Sequence, residues 1–145
     1  MTTASGGSAV PVLLDTDVFS HIYVSSPRSQ QGVTWVGLLT GRTVAIAVQT
    51  EVELRVWPSL QSWGERRTAE LVARIESVAR IQVSELVQQE YVRLTVWAKQ
   101  QGHAIQDKIH TGDRWVAATA LAHGLELAAI DDGYDGIDGL NLLKP

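Results

Sequence analysis

Carboxylates recur in this chain where a strand ends or a helix begins. Asp15 closes the run Val10-Pro11-Val12-Leu13-Leu14, and Asp131 and Asp132 follow Leu125-Glu126-Leu127-Ala128-Ala129-Ile130. Glu51 and Glu53 lie just beyond the strand candidate Thr43 to Val48, and Asp113 opens a helical segment near the C-terminus. Apolar runs between turn signals read as strands of a buried parallel sheet, and open α/β sheets bind ligands beyond the carboxyl ends of their strands. Asp15 and Asp131 are therefore expected to share one crevice. Carboxylates a few ångströms apart repel, so such a cluster either holds a proton or binds a cation.

Each acid also has a plainer reading. A strand-end aspartate often caps the next helix, but Asp17 is the better cap here, which leaves Asp15 free. Asp113 shares a helical face with Val116, Ala117, Ala120 and Leu121, so its carboxylate is expected on the packed side. First-turn placement against the helix dipole explains its position along the helix but not its face. An unpaired buried charge costs several kcal/mol, which calls for a cation or proton partner. Glu53 and Glu51 compete, and periodicity does not separate them. Asp131 and Asp132 begin a Gly- and Asp-rich stretch that a plain turn cluster would resemble. The spacing of Asp131, Gly133 and Asp135 does not make an EF-hand, because the third ligand position is Gly and no Glu follows at position 12.

The elements that must position these acids alternate in type. The spacing predicts helices over 17–26, 33–39, from Gln49 or Thr50 to Trp57-Pro58, 63–78, from an N-cap at Ser84 to Gly102, and over 111–123 before Gly124. Between them fall strand candidates at 43–48, 80–83 and 125–130, with a short terminal run at 140–143. Alternation of this kind implies a three-layer α/β/α sandwich around a central, mainly parallel sheet.

Composition agrees with one globular domain over residues 10–145: 45% of residues are hydrophobic and 19% charged. Residues 1–9 are small and polar, without a basic or apolar signal region, and are expected to form a disordered leader. No apolar run approaches membrane-spanning length. The default compartment is the cytoplasm. The absence of cysteine excludes disulfides and thiolate metal sites, and His21, His103, His110 and His123 lack zinc spacing. A net charge of −4 argues against a broad basic nucleic-acid face, although acids gathered round a metal are compatible with a nuclease. No G-x-G-x-x-G, phosphate-cradling loop or nucleophile elbow is present. Of the five tryptophans Trp35, Trp57, Trp63, Trp97 and Trp115, core packing accounts for at least half, and the rest suit an interface.

Four segments together resemble the PIN-domain ribonucleases, more narrowly the VapC-type toxins of toxin–antitoxin pairs. Leu13-Leu14-Asp15-Thr16-Asp17-Val18-Phe19-Ser20 is similar to the family's strand followed by D-T-[ND]-[VI]-[LF]-[SI]. Ala45-Ile46-Ala47-Val48-Gln49-Thr50-Glu51-Val52-Glu53-Leu54 matches I-S-x-x-T-x-x-E-L and selects Glu53. Gly112-Asp113-Arg114-Trp115-Val116-Ala117-Ala118-Thr119-Ala120 is similar to D-x-[LW]-I-A-A-x-A, the most specific of the four. Leu127 to Asp135 resembles L-x-T-x-[DN]-x-D-[FY], with Ala129 in place of Thr or Ser and Gly133 where another acid is common. The last ligand therefore stays open between Asp131 and Asp132.

The resemblance implies a hydrolytic endoribonuclease using Mg²⁺ or Mn²⁺, acting on RNA as the toxin of a pair. It implies that Asp15, Asp113 and Asp131 hold the metal, that Glu53 orients or activates water, and that Thr16 hydrogen-bonds a ligand carboxylate. It also implies a homodimer and a small antitoxin that docks on the active-site face. Arg55, Lys108, His110 and Arg114 flank the acidic motifs and are candidates to hold RNA phosphates. One alternative is a haloacid dehalogenase-like phosphatase, with Asp15 as nucleophile and Asp17 as acid/base. It leaves Glu53 and Asp113 unexplained and lacks the expected Thr-Leu after the motif. A PIN-like binding module without activity is the other.

Overall fold

A computed structural model describes residues 10–24 and 29–145. The strands are β1 (Val12–Leu14), β2 (Val44–Ala47), β3 (Ala79–Ile81), β4 (Glu126–Ala128) and β5 (Asn141–Leu143). The helices are α1 (Thr16–Tyr23), α2 (Gln30–Leu39), α3 (Val48–Leu60), α4 (Glu65–Glu76), α5 (Glu85–Gln101) and α6 (Thr111–His123), with short 3-10 turns at 104–106, 108–110 and 132–134. The leader expected over 1–9 and the helix end expected near Ser25 and Ser26 lie outside the described residues.

All five strands run parallel in the order β3-β2-β1-β4-β5. The chain winds outward from β1 to β3, then returns to lay β4 against the free side of β1. The change of direction falls between β1 and β4, where ligands of doubly wound sheets bind. Asp15 leaves β1 at that point, and Asp131 follows β4 by three residues.

Alternation along the strands sorts the core into two layers. Leu13, Ala45, Ala47 and Leu127 face Leu94, Ala98, Val116, Ala117 and Ala120 of α5 and α6. Val12, Leu14, Ile46 and Ala128 face Val18, Trp35, Leu54, Leu71 and Ile75 of α1 to α4. Helices on both faces of one parallel sheet make the expected three-layer sandwich. Among the described residues no helix is long and apolar enough to cross a membrane.

Local signals set most boundaries. Ser84 Oγ accepts from the Val87 amide at 3.3 Å to start α5, and Gly102 ends it at φ 69°. Of the boundaries that differ from expectation, two have a clear local cause. α2 begins at Gln30 because Ser29 Oγ accepts from the Gly32 amide at 3.1 Å, and a side chain at Gly32 would meet the His21 carbonyl at 2.6 Å, so α1 and α2 cross closely there. α3 runs through Pro58 to Leu60, since proline in a last turn keeps helical φ and forfeits one donor only.

Candidate active site

Asp15 occupies the N-cap position of α1, with no side-chain capping bond. Asp17 is therefore not the cap. It lies in the first turn of α1, exposed, and its charge presses on both Asp15 and Glu53. Asp15 is only 7% exposed. Burial pushes its pKa from 3.8 up to about 7, a hydrogen bond at Thr16 opposes the rise, and the Asp113 and Asp17 charges add to it.

Glu53 reaches the same place from α3. Its Oε2 accepts from Thr16 Oγ1 at 3.3 Å and its Oε1 from Gln49 Nε2 at 3.4 Å. Thr16 Oγ1 also lies 3.3 Å from the buried Thr50 Oγ1, so two threonines join α1 to α3 beneath the acid. Burial raises the Glu53 pKa, against these hydrogen bonds and with the Asp113 and Asp17 charges. α6 comes close here: a side chain at Gly112 would meet Gln49 Nε2 at 3.0 Å and Glu53 Oε1 at 3.5 Å. Glu51 faces elsewhere and pairs with Arg55 at 2.9 Å and Arg80 at 3.7 Å.

Asp113, in the first turn of α6, is 34% exposed at its side chain, so it sits at the rim and not on the packed face. Its oxygens are held separately. Oδ1 accepts from the Tyr134 hydroxyl at 3.1 Å, and Oδ2 lies 3.1 Å from His110 Nδ1. Tyr134 is 1% exposed and also hydrogen-bonds Asp15, and burial with two neighbouring acids drives its pKa far above the ordinary phenol range.

The remaining candidates divide. Asp131 is exposed, and its Oδ1 accepts from the Gly133 amide at 2.7 Å to cap the turn at 132–134. Asp132, 92% exposed at its side chain, pairs with Lys144 at 3.3 Å. Of the two, Asp131 comes first after β4. Lys108 is exposed on the 108–110 turn, just before His110. Two phosphate candidates fail on geometry. Arg55 lies two residues from Glu53, hence on the far side of α3, and its guanidinium is tied to Glu51. Arg114 is 6% exposed and donates to the Ile105 carbonyl at 2.6 Å, the Asp107 carbonyl at 2.9 Å and Tyr91 Oη at 3.1 Å. It braces the 105–111 loop from inside.

Tyr134, Gln49 and the charge of Asp17 are the members that sequence reasoning missed. Gln49 to Glu53 is an i,i+4 pair, a spacing that could have found it. Tyr134 fills the [FY] position of the fourth motif, a signal that marks an aromatic there but not its bond to Asp113.

The donor set suits a hard divalent cation: Asp15 and Glu53 have raised pKa values, and the partners of the three carboxylates are hydroxyls, an amide and an imidazole. Among the described residues no Lys or Arg pairs with Asp15, Glu53 or Asp113, so their negative charge is not balanced from within. Nor do three acids or histidines among the described residues form a ready ligand cage, so an ion would have to draw the side chains in.

Known proteins resemble the chain over most of its length. The chain is 28% identical over 141 residues to the VapC ribonuclease Y4jK of Sinorhizobium fredii, covering 92% of this chain and 96% of that protein. It is 27% identical to the plasmid stability protein StbB of Pseudomonas syringae pv. tomato, covering 92% and 97%. Its fold superposes on the crystal structure of FitAcB from Neisseria gonorrhoeae with a TM-score of 0.70 at 26% identity, covering 91% and 96%. VapBC2 from Rickettsia felis, solved with a DNA fragment from its promoter, gives a TM-score of 0.76 at 20% identity, covering 92% and 97%. The PIN domain model matches residues 12–140, which include Asp15, Glu53, Asp113 and Asp131, and the chain belongs to the PIN-domain family.

Proposed function

We propose that the chain is a Mg²⁺- or Mn²⁺-dependent endoribonuclease and the toxin of a toxin–antitoxin pair, working in the cytoplasm where its RNA substrate is found. The observation that carries this reading is the burial of Asp15 beside Asp113 and Glu53 where, among the described residues, no Lys or Arg pairs with them and only the His110 imidazole meets Asp113. A phosphatase using Asp15 as nucleophile gives no role to that grouping.

Asp15 and Asp113 are the residues that would hold the ion, with Asp131 reaching it directly or through water. The bound ion supplies charge neutralisation at the phosphate and eases deprotonation of the attacking water. Glu53 takes the proton: its raised pKa makes it a stronger base than an exposed glutamate, and Thr16 and Gln49 fix both of its oxygens. Tyr134 and His110 hold Asp113 in one rotamer, which limits its freedom to turn away when a cation arrives. Lys108 and the outer edge of His110 receive the RNA backbone beside the acids.

The relatives support a protein partner as well. VapBC-5 from Mycobacterium tuberculosis is a member of the VapBC family of toxin–antitoxin systems, and we assign this chain a cognate antitoxin on its likeness to that structure and a homodimeric state on the family resemblance.

Sequencing of new RNA 5′ ends after expression of the wild-type protein and of Asp15→Asn tests the proposal. Discrete new ends that require Asp15, and that purified protein reproduces with Mn²⁺ but not with EDTA, are expected. Identical ends from both proteins would overturn it. Calorimetry separates a binding module without activity, which would take up no Mg²⁺ or Mn²⁺ at millimolar concentration.

A further inference from the structure

Beside the carboxylates lies a recess of about 170 Å³, lined by Val48, Gln49 and Val52 of α3, Val83 ahead of α5, and Trp115 and Thr119 of α6. It borders the acid cluster through Gln49, whose amide donates to Glu53. The fold does not need this opening. Val52 is 53% and Val83 42% exposed, so two valines are left in solvent at its mouth.

Its walls have the character that an unstacked base requires. Trp115 is a rigid platform, stacked on Tyr91 with centroids 3.9 Å apart and planes 20° apart, and Tyr91 is itself held by Arg114. Among the described residues its indole N–H meets no protein acceptor, and the Gln49 carbonyl oxygen receives no donor. The Thr119 hydroxyl donates to the Trp115 carbonyl at 2.8 Å and its oxygen can still accept, so the Trp115 N–H and the Gln49 amide are the polar groups with unused capacity among the residues that line an apolar slot. Single-stranded RNA is read by splaying a base onto an aromatic or apolar surface and hydrogen-bonding its edge. A partner's aliphatic side chain would fill the slot but leave both polar groups unmatched.

We propose that this recess is a nucleobase subsite, taking the base of the nucleotide adjacent to the scissile phosphate and thereby setting sequence preference at one position of the cut. The proposal rests on the nuclease reading above for the word scissile, but not for the binding itself. Packing by Val48, Val52 and Val83 selects a flat ring, and the Trp115 N–H with the Gln49 oxygen discriminates among ring edges.

Two measurements test it separately from activity. The Trp115 indole N–H resonance, identified by its loss in Trp115→Phe, is followed while each of the four nucleoside 5′-monophosphates is added to the full chain. A shift with one or two of them, removed by the mouth-filling Val83→Trp at unchanged melting temperature, is expected. In the second, RNA of random sequence is cleaved and the ends sequenced, with a base preference at one flanking position that Val83→Trp flattens at least tenfold. A Trp115 resonance unmoved by all four nucleotides overturns the subsite, whatever the cleavage assay gives. So does a resonance that responds only to protein concentration, which would make the recess a contact between copies. A nucleotide-dependent shift in a protein that cleaves no RNA upholds the subsite and overturns the nuclease reading.

Discussion

The Tyr134 hydroxyl donates to Asp113 Oδ1 at 3.1 Å across 21 residues of sequence, tying the loop after β4 to the first turn of α6. Tyr134 is buried and also bonds Asp15, so one phenol orients acids from two elements. Tyr134→Phe keeps the ring in the core and removes only that orientation. Loss of a hydrogen-bond partner behind a ligand costs about 10–100-fold in metal affinity or activity. Mn²⁺ titration and cleavage rate should both fall within that range, while thermal denaturation shows an intact fold.

Glu51 and Glu53 are a paired test of which face of α3 does chemistry. Glu53→Gln should abolish cleavage, because it removes the proton acceptor held by Thr16 and Gln49. Glu51→Gln gives up partly exposed ion pairs with Arg55 and Arg80, worth about 1 kcal/mol or less, and should cleave RNA at the wild-type rate. Comparison of initial rates on one RNA decides the matter.

Asp15 makes the metal-free protein sensitive to pH in a stated direction. Its pKa is 3.8 when unfolded and about 7 when folded, so the folded state binds the proton more tightly. The stability from protonated Asp15 is fully present below pH 4 and is lost as pH rises towards 7, with a ceiling of roughly 4 kcal/mol at ~1.4 kcal/mol per pKa unit. Asp15→Asn cannot ionise. In EDTA it should melt above wild type at pH 7.5, and the gap should close as pH approaches 4. Mg²⁺ should raise the melting temperature of wild type and leave that of Asp15→Asn unchanged.

Parallel-strand runs, helix caps at Ser84 and Gly124, and the alternation of elements were legible because each is a local signal, carried by a few adjacent residues. The choice of Glu53 over Glu51 needed the motif, since both lie on one short helix and only the packing of α1 against α3 separates their faces. The cap at Asp15 was misassigned to Asp17 because either residue satisfies the local pattern, and the strand exit decides which falls first. Asp113 was expected on the packed face from helical spacing, but α6 begins at the crevice, so its first turn overhangs the core. Arg114 shows the largest gap. A cation next to a catalytic acid reads as a phosphate contact, and only the return of the 105–111 loop over α6 reveals the carbonyls that bury it.

That difference between Arg114 and Lys108 can be measured. Arg114→Met leaves the carbonyls of Ile105 and Asp107 without their charged donor in a buried setting. Hydrogen bonds to charged groups contribute ~1.5–3 kcal/mol each, so denaturant unfolding should show a loss of roughly 3 kcal/mol or more. Lys108 is exposed on the turn that carries His110, and Lys108→Ala should not change stability. Its effect should appear in RNA binding to an Asp15→Asn background, as weaker affinity and a salt-dependence slope reduced by about 1. For Arg114→Met the slope should stay at the wild-type value at temperatures where the variant is folded, since a guanidinium enclosed by carbonyls releases no counterion when RNA arrives. A slope reduced equally by both substitutions would return Arg114 to the RNA surface.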